Sequence, residues 1–349
     1  MKNVTSVLSG IQQIGIGVKD ADKAFAWYRK YFGMDIPVFK DASKAGFMTP
    51  YTGGEVRSRY AILAINIQGG GGFEIWQFTD RDPQLPAFLP QPGDLGINGI
   101  IIKSRNVEKS HAQFRRQGLE VSDIFETPWG SKRFHLNDPW NNRFTFTEGK
   151  GWFRSGKALN GGIAGAQIGV SDIDRSVQFY QQVIGADQVV SDTTGISHEL
   201  GRGTFRRVLL RPSAAWGGAF SRLLGPFEIE LIQSLDHPGR KIYEGRFWGD
   251  PGFIHLCFDV NDMVALENRC NQHGFPFTVN SGNSFDMGEA AGQFTYCEDP
   301  DGTLIEFVKT YRLPVMKKWG WYLNLEKRDQ SKPLPDWILG GMRFQREKD

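Results

Sequence analysis

The stretch GFIHLCFDVND, residues 252–262, carries one histidine inside an otherwise apolar strand pattern. Side chains alternate along a strand, so His255 faces one definite side of a sheet, away from Ile254 and Leu256. An imidazole so placed is either a buried structural histidine bonded to a backbone carbonyl or a group that does chemistry. The segment just before it, LDHPGRKIYEGRFWGDPG (235–252), holds His237, Arg240, Lys241, Tyr243, Arg246 and Trp248. It reads either as a basic lid over a site for an anionic substrate or as a solvated loop. Glutamates recur in strand-like runs: Glu74 in FEIWQF, Glu230 in IELIQ and Glu306 in LIEF. Glutamate usually stands in water, so it is their matching positions that single these out. The run GGGG (69–72) has no Lys-Ser/Thr after it and precedes a strand, which makes it a hairpin turn and not a phosphate loop.

Four segments must position these residues, and all four have one pattern. They are QIGIGVKDADKAFAWYRKYFG (13–33), GIIIKSRNVEKSHAQFRRQG (99–118), AQIGVSDIDRSVQFYQQVIG (166–185) and HLCFDVNDMVALENRCNQHG (255–274). Each is a short apolar strand, a polar cap, an amphipathic helix and a terminating glycine. Asp20, Asn106, Asp172 and Asp262 sit where an N-cap accepts from orphan backbone N–H groups. Gly33, Gly118, Gly185 and Gly274 sit where a left-handed residue ends a helix. Phe25, Tyr28 and Phe32, like Val177, Tyr180 and Ile184, form the buried stripe. Further strands and turns follow each helix, and the second and fourth segments end alike, in DPWNNRFTF (138–146) and DPDGTLIEF (299–307). The unit is β-α-β-β-β, used four times.

The chain of 349 residues is long enough for two ordinary domains. At 13% aromatic and 40% hydrophobic residues it is a folding sequence, and its formal charge of +2 excludes an electrostatic case for nucleic acid or anionic membrane. Three cysteines, Cys257, Cys270 and Cys297, form no C-x-x-C pair and fit a reducing compartment. With no signal-peptide pattern at the N-terminus and no membrane span, the expectation is a cytoplasmic protein, monomer or homodimer, acting on a small molecule. Residues 1–149 are expected to form one half and 162–312 the other, each of two units, joined by the Gly-, Lys- and Ser-rich linker 147–162. Residues 313–349 form a tail whose Trp319, Trp321, Tyr322 and Trp337 should pack on the body.

Paired βαβββ units ending in D-P-D-G-x-x-I-E-F resemble the vicinal oxygen chelate superfamily of glyoxalase I, methylmalonyl-CoA epimerase, extradiol dioxygenases and bleomycin-resistance proteins. The resemblance reaches to about residue 312. It implies an α+β fold of four βαβββ modules paired into two cupped mixed β-sheets flanked by helices. It also implies metal ligands on the first and late strands of a module. The first-strand positions are Gln13, Gly99, Gly165 and His255; the late ones are Glu74, Thr145, Glu230 and Glu306. If the first module pairs with the fourth, one cup holds Gln13, Glu74, His255 and Glu306, a glyoxalase I-like set. The second and third modules then form a degenerate cup. Pairing within halves would instead gather Glu230, His255 and Glu306. The crossed pairing is preferred because it puts every candidate ligand in one place.

Such a set suits one divalent ion, Zn, Ni, Co, Mn or Fe, whose two charges the two carboxylates balance. The implied activity is a metal-dependent lyase or isomerase that chelates vicinal oxygens and removes a proton beside a carbonyl. Glu306 would be the base and Glu74 would work the other face. A ring-cleaving Fe(II) dioxygenase is the alternative, weakened because that class uses two histidines and Gly165 stands at one such position. A metal-free protein that sequesters a small molecule is the third reading. No glutathione-binding pattern is legible.

Overall fold

The computed structural model describes residues 7–213, 217–282, 285–286, 291–316 and 321–348. The first module is β1 (Leu8–Gly17), α1 (Ala21–Phe32), β2 (Ile36–Lys44), β3 (Ser58–Ile65) and β4 (Gly72–Phe78). The second is β5 (Gly96–Ser104), α2 (Val107–Arg116), β6 (Phe125–Glu126), β7 (Lys132–Asn137) and β8 (Arg143–Glu148). The third is β9 (Asn160–Gly169), α3 (Ile173–Phe179), β10 (Gln188–Ile196), β11 (Thr204–Arg211), the short α4 (Ser221–Leu224) and β12 (Glu228–Ser234). The fourth is β13 (Gly252–Val260), α5 (Met263–Gln272), β14 (Val279–Asn280), β15 (Phe285–Asp286), β16 (Ala291–Glu298) and β17 (Leu304–Met316). β18 (Trp321–Asn324) and α6 (Asp336–Gly341) follow.

The helices start and stop where the caps require. Asp20 accepts from the Lys23 N–H at 2.9 Å and Asn106 from Lys109 at 2.8 Å, while Asp172 and Asp262 cap α3 and α5 in the same way. Gly33, Gly118, Gly185 and Gly274 all take positive φ, between 65° and 81°. The stop differs in the third module, where α3 widens into a π-helical turn over Tyr180–Ile184 before Gly185.

Two curled mixed sheets result, and their pairing is crossed. One runs β14-β16-β17-β13-β1-β4-β3-β2, with β15 on β16 and β18 on β17; the other runs β10-β11-β12-β9-β5-β8-β7-β6. The first and fourth modules therefore meet along antiparallel β1 and β13, and the second and third along β5 and β9. The inner modules are nested between the outer two.

Helix faces join the sheets. Phe32 of α1 packs against Phe144 and Phe146 of β8 at ring distances of 4.8 and 5.4 Å. The Tyr28 hydroxyl of α1 donates to Asp138, at the turn before β8, and the Tyr180 hydroxyl donates to Asp299, at the turn before β17. In both cases a tyrosine of one sheet's module is held by the Asp-Pro turn of the other's. After β18, Leu325, Leu334 and Leu339 are buried against Ile36, Ile65 and Ile67. Trp337 does not share in this and is 65% exposed; Trp319 lies outside the described residues, as do the side chains of Trp321 and Tyr322. Among the described residues no helix is long and apolar enough to cross a membrane.

Candidate metal centre

Strand register builds one constellation on the concave face of the first sheet. Gly15 of β1 stands between His255 of β13 on one side and Glu74 of β4 on the other. Two residues away, Cys257 stands between Gln13 of β1 and Glu306 of β17. The period of two sends Gln13, Glu74, His255 and Glu306 to the same face. Glu74, His255 and Glu306 each bring a ligand atom within 4.8 Å of the others. Gln13 joins them, its amide nitrogen 3.1 Å from Glu74 Oε2 and 3.4 Å from Glu306 Oε2.

Space for the imidazole comes from Gly15. A Cβ at that position would lie 2.4 Å from His255 Cε1 and 2.6 Å from Nδ1. Trp248 lies parallel to the imidazole at 6.1 Å and Tyr296 meets it edge-on at 5.5 Å, so the ring is fixed on three sides.

The bonding of the four groups is incomplete. His255 Nε2 is 3.0 Å from Glu306 Oε2 and 3.4 Å from Glu74 Oε2, yet neither oxygen lies where a ring N–H would point. His255 Nδ1 and Gln13 Oε1 are also buried without a hydrogen-bond partner. A half-turn of the Gln13 amide exchanges its oxygen and nitrogen and aims the oxygen at the same point. Buried polar atoms normally find partners, so a converging set without them has the form of a cation site. The donors are one nitrogen, two carboxylates and one amide oxygen, which fits a divalent ion.

Electrostatics agree with that fit. Burial alone would push the His255 imidazole down, but the carboxylates of Glu306 and Glu74 outweigh it and raise the pKa to about 9. Burial opposes ionisation of Glu306 as well; the imidazole charge, with Tyr296 and Cys257 as hydrogen-bond donors, holds it below the usual range. Glu74 and Glu306 line a cavity of about 310 Å³ walled also by Phe47, Met48, Trp248, Phe294 and Tyr296, with Asp41, Lys44 and Arg59 among its polar residues.

The other sheet does not repeat this. Glu230 is buried there and accepts from Arg133 at 2.6 Å and from Arg207 at 2.6 and 3.0 Å. Both guanidiniums lie 5.0 Å from the Trp129 ring, and Arg133 also reaches Glu228. Burial would raise the Glu230 carboxyl, but the two arginines hold it down at about 2. Glu230 thus cannot join His255 and Glu306, and pairing within halves is excluded by the strand order. The two glycine positions of this sheet are closely packed. Gln167 occupies the position facing Gly99, where a Cβ would meet its Oε1 at 2.8 Å, and a Cβ on Gly165 would strike the Glu228 carbonyl at 2.3 Å. Gln167 bridges Glu230 and Thr145, and Thr145 contacts His135 at 2.9 Å. Burial, then the charges of Arg143 and Arg133, push His135 down to about 3.

The two sheets make opposite choices at one register position: glycine facing histidine in one, glutamine facing glycine in the other. Composition read in sequence order misses this exchange, though the small residues of QIGIG were a signal. His135 in KRFHLN is likewise a histidine buried in a strand, but its Nδ1 meets the Thr145 hydroxyl and no carboxylate among the described residues converges on it.

The segment 235–252 is less a lid than a brace. Arg240 is paired with Asp94 at 2.8 Å, and Tyr243 donates to the Asp250 carbonyl at 2.8 Å. His237 and Lys241 are exposed. Arg246 is buried and donates to backbone carbonyls of Gln84, Ile242 and Pro251. Of the six residues, Trp248 alone reaches the His255 cup.

Fold and register together match a known architecture, and the chain belongs to the Glyoxalase/Bleomycin resistance protein/Dioxygenase superfamily, which it matches over residues 10–146 and 162–307. Members of that superfamily typically bind a divalent metal. Among solved structures it is similar to glyoxalase I from Zea mays, at 12% identity and TM-score 0.53, over 86% of this chain and 92% of that one. It is similar also to a putative dioxygenase from Bacillus subtilis, at 14% identity and TM-score 0.55, over 87% and 86%. At these identities the likeness is one of fold. No curated protein matches the sequence.

Proposed function

We propose that the protein is a metal-dependent lyase or isomerase of the glyoxalase type, acting on a small substrate with neighbouring oxygens. The observation that carries this reading is the convergence of His255 Nε2, Glu74 and Glu306, with Gln13 beside them, at the floor of one cavity. A divalent ion held by these four would stabilise an oxygen anion developing on a chelated carbonyl. Glu306 lines the cavity and is the candidate base: its carboxylate, once off the ion, would receive the proton from the carbon beside that carbonyl. Tyr296 and Cys257 fix its carboxylate, and Glu74 offers an oxygen from the opposite strand pair. Trp248, Phe294 and Tyr296 give the cavity aromatic walls.

The test has two parts. Protein purified without chelators should carry close to one divalent ion per chain, and His255→Ala should lose it. Under nitrogen, a panel of α-hydroxycarbonyl and keto compounds should show exchange of the α-hydrogen with deuterated solvent. Glu306→Gln should retain metal while turnover falls by roughly 10² or more. Activity that needs Fe(II) and consumes O₂ would replace this reading with the dioxygenase; failure to bind Zn, Ni, Mn or Fe at micromolar concentration would leave a binding protein.

A further inference from the structure

A second cavity, of about 540 Å³, lies beside the 310 Å³ cavity of the metal cup, and among the described residues Trp248 is the one common to both linings. Three elements mark the boundary. On β17, Glu306 lines the cup and Leu304, two residues earlier, lines the second cavity. On β16, Tyr296 and Glu298 divide in the same way. On the short 3₁₀ helix Gly46–Tyr51, Met48 lines the cup and Tyr51 the second cavity. A two-residue step along a strand is only about 7 Å, so one large side chain is enough to part the two spaces. Trp248 is 6% exposed, and its ring lies parallel to the His255 imidazole at 6.1 Å and meets Trp76 edge-on at 4.6 Å. Its backbone N–H donates to the Tyr51 carbonyl at 2.9 Å, on the side of the second cavity. The indole Nε1 has no hydrogen-bond partner, so the side chain contributes bulk at this place and no bond. Small-molecule sites span about 300–1,000 Å³; the cup alone lies at the bottom of that range, and joined to its neighbour it would lie in the upper half.

We infer that Trp248 is the residue that sets substrate size. Its indole is the end wall of the cup and withholds the second cavity from the site. A substrate whose neighbouring oxygens are chelated at the floor therefore carries, toward Trp248, a body no longer than a single ring. This assignment rests on the reading of the cup as a chelating metal site.

Calorimetric titration of the metal-loaded, full-length protein with two hydroxamates tests it. A hydroxamate chelates through two neighbouring oxygens, and benzohydroxamate and 4-phenylbenzohydroxamate have no α-hydrogen to lose, so binding is read without turnover. The parent should bind the longer ligand no more tightly than the shorter. In Trp248→Ala the longer ligand should gain roughly tenfold or more over the shorter, because its outer ring becomes buried in the second cavity. Trp248→Leu removes less volume and should shift the ratio in the same direction, which keeps the test decisive if the alanine variant does not fold. Adding Leu304→Trp to either variant fills the second cavity and should remove the gain. An unchanged ratio in both variants, a gain that survives Leu304→Trp, or a parent that already prefers the longer ligand by roughly tenfold would each overturn the assignment and leave the metal cup in place. A loaded parent that binds neither hydroxamate would overturn the chelating cup and this assignment with it.

Discussion

Replacing Gly15 by alanine is the sharpest test of how the cup is built. The backbone at Gly15 is ordinary strand, so the added methyl brings no conformational strain of its own. What it brings is a collision. The new Cβ would stand 2.4, 2.6 and 2.8 Å from three atoms of the His255 ring, where ordinary contact begins near 3.4 Å. The imidazole must retreat by about 1 Å, since 3.4 less 2.4 is 1.0. It is fully buried between Trp248 and Tyr296, so a retreat disturbs those rings or the carboxylates beside it. Overpacking of this kind costs about 1–3 kcal/mol of stability. The larger effect falls on the ion. A misplaced ligand should weaken metal affinity on the order of 10–100-fold, the range seen when groups that merely orient ligands are lost. The assay is competition against a chelator of known affinity, with thermal unfolding of the metal-free protein measured alongside. Gly99→Ala is the control, because its Cβ meets the movable end of Gln167 at 2.8 Å in the sheet without the constellation. If Gly15→Ala binds metal as tightly as the parent while remaining folded, His255 is not a ligand in this geometry.

Two other outcomes are expected. Glu74→Ala should weaken metal binding, whereas Glu230→Ala should leave it intact and lower the melting temperature, because two buried guanidiniums lose their shared carboxylate at about 3–5 kcal/mol; metal loss from Glu230→Ala alone would refute the crossed site. In chelator-treated protein the His255 pKa is raised from 6.5 to about 9, so its contribution to stability is fully present below about pH 6.5 and is lost as pH rises through 9. Melting temperatures from pH 6 to pH 10 should show that fall, and His255→Gln should flatten it.

The repeated cap–helix–glycine pattern made the four modules legible, because caps and stripes are local and each is written within a dozen residues. His255 and Glu306 were legible for the same reason, one inside an apolar strand and one in an Asp-Pro ending. The partner of each module was not local: β1 meets β13 across some 240 residues of chain, and only the economy of placing all ligands together favoured that pairing. Arg133, Arg207 and Arg246 were the least legible. In a strand or loop an arginine reads as solvated, and its burial depends on a glutamate or a carbonyl supplied from elsewhere in the chain. Tyr28 and Tyr180 were read as stripe residues and are that, but their hydroxyl partners, Asp138 and Asp299, come from modules in the opposite sheet.

The nesting of the modules has a temporal meaning. A chain emerging residue by residue presents β5 to β12 as one uninterrupted span, 96–234, so every strand of the arginine-filled sheet is available before β13 exists. Throughout that interval β1 waits with an open edge, its Gln13 and Glu74 already beside each other and their histidine not yet made. The cation-type floor therefore cannot assemble until β13 and β17 emerge, after every strand of the other sheet has been made, and only the C-terminal β18 and α6 come later. Any pause in synthesis between residues 234 and 252 prolongs the life of an apolar strand edge, the kind of surface on which chains mispair.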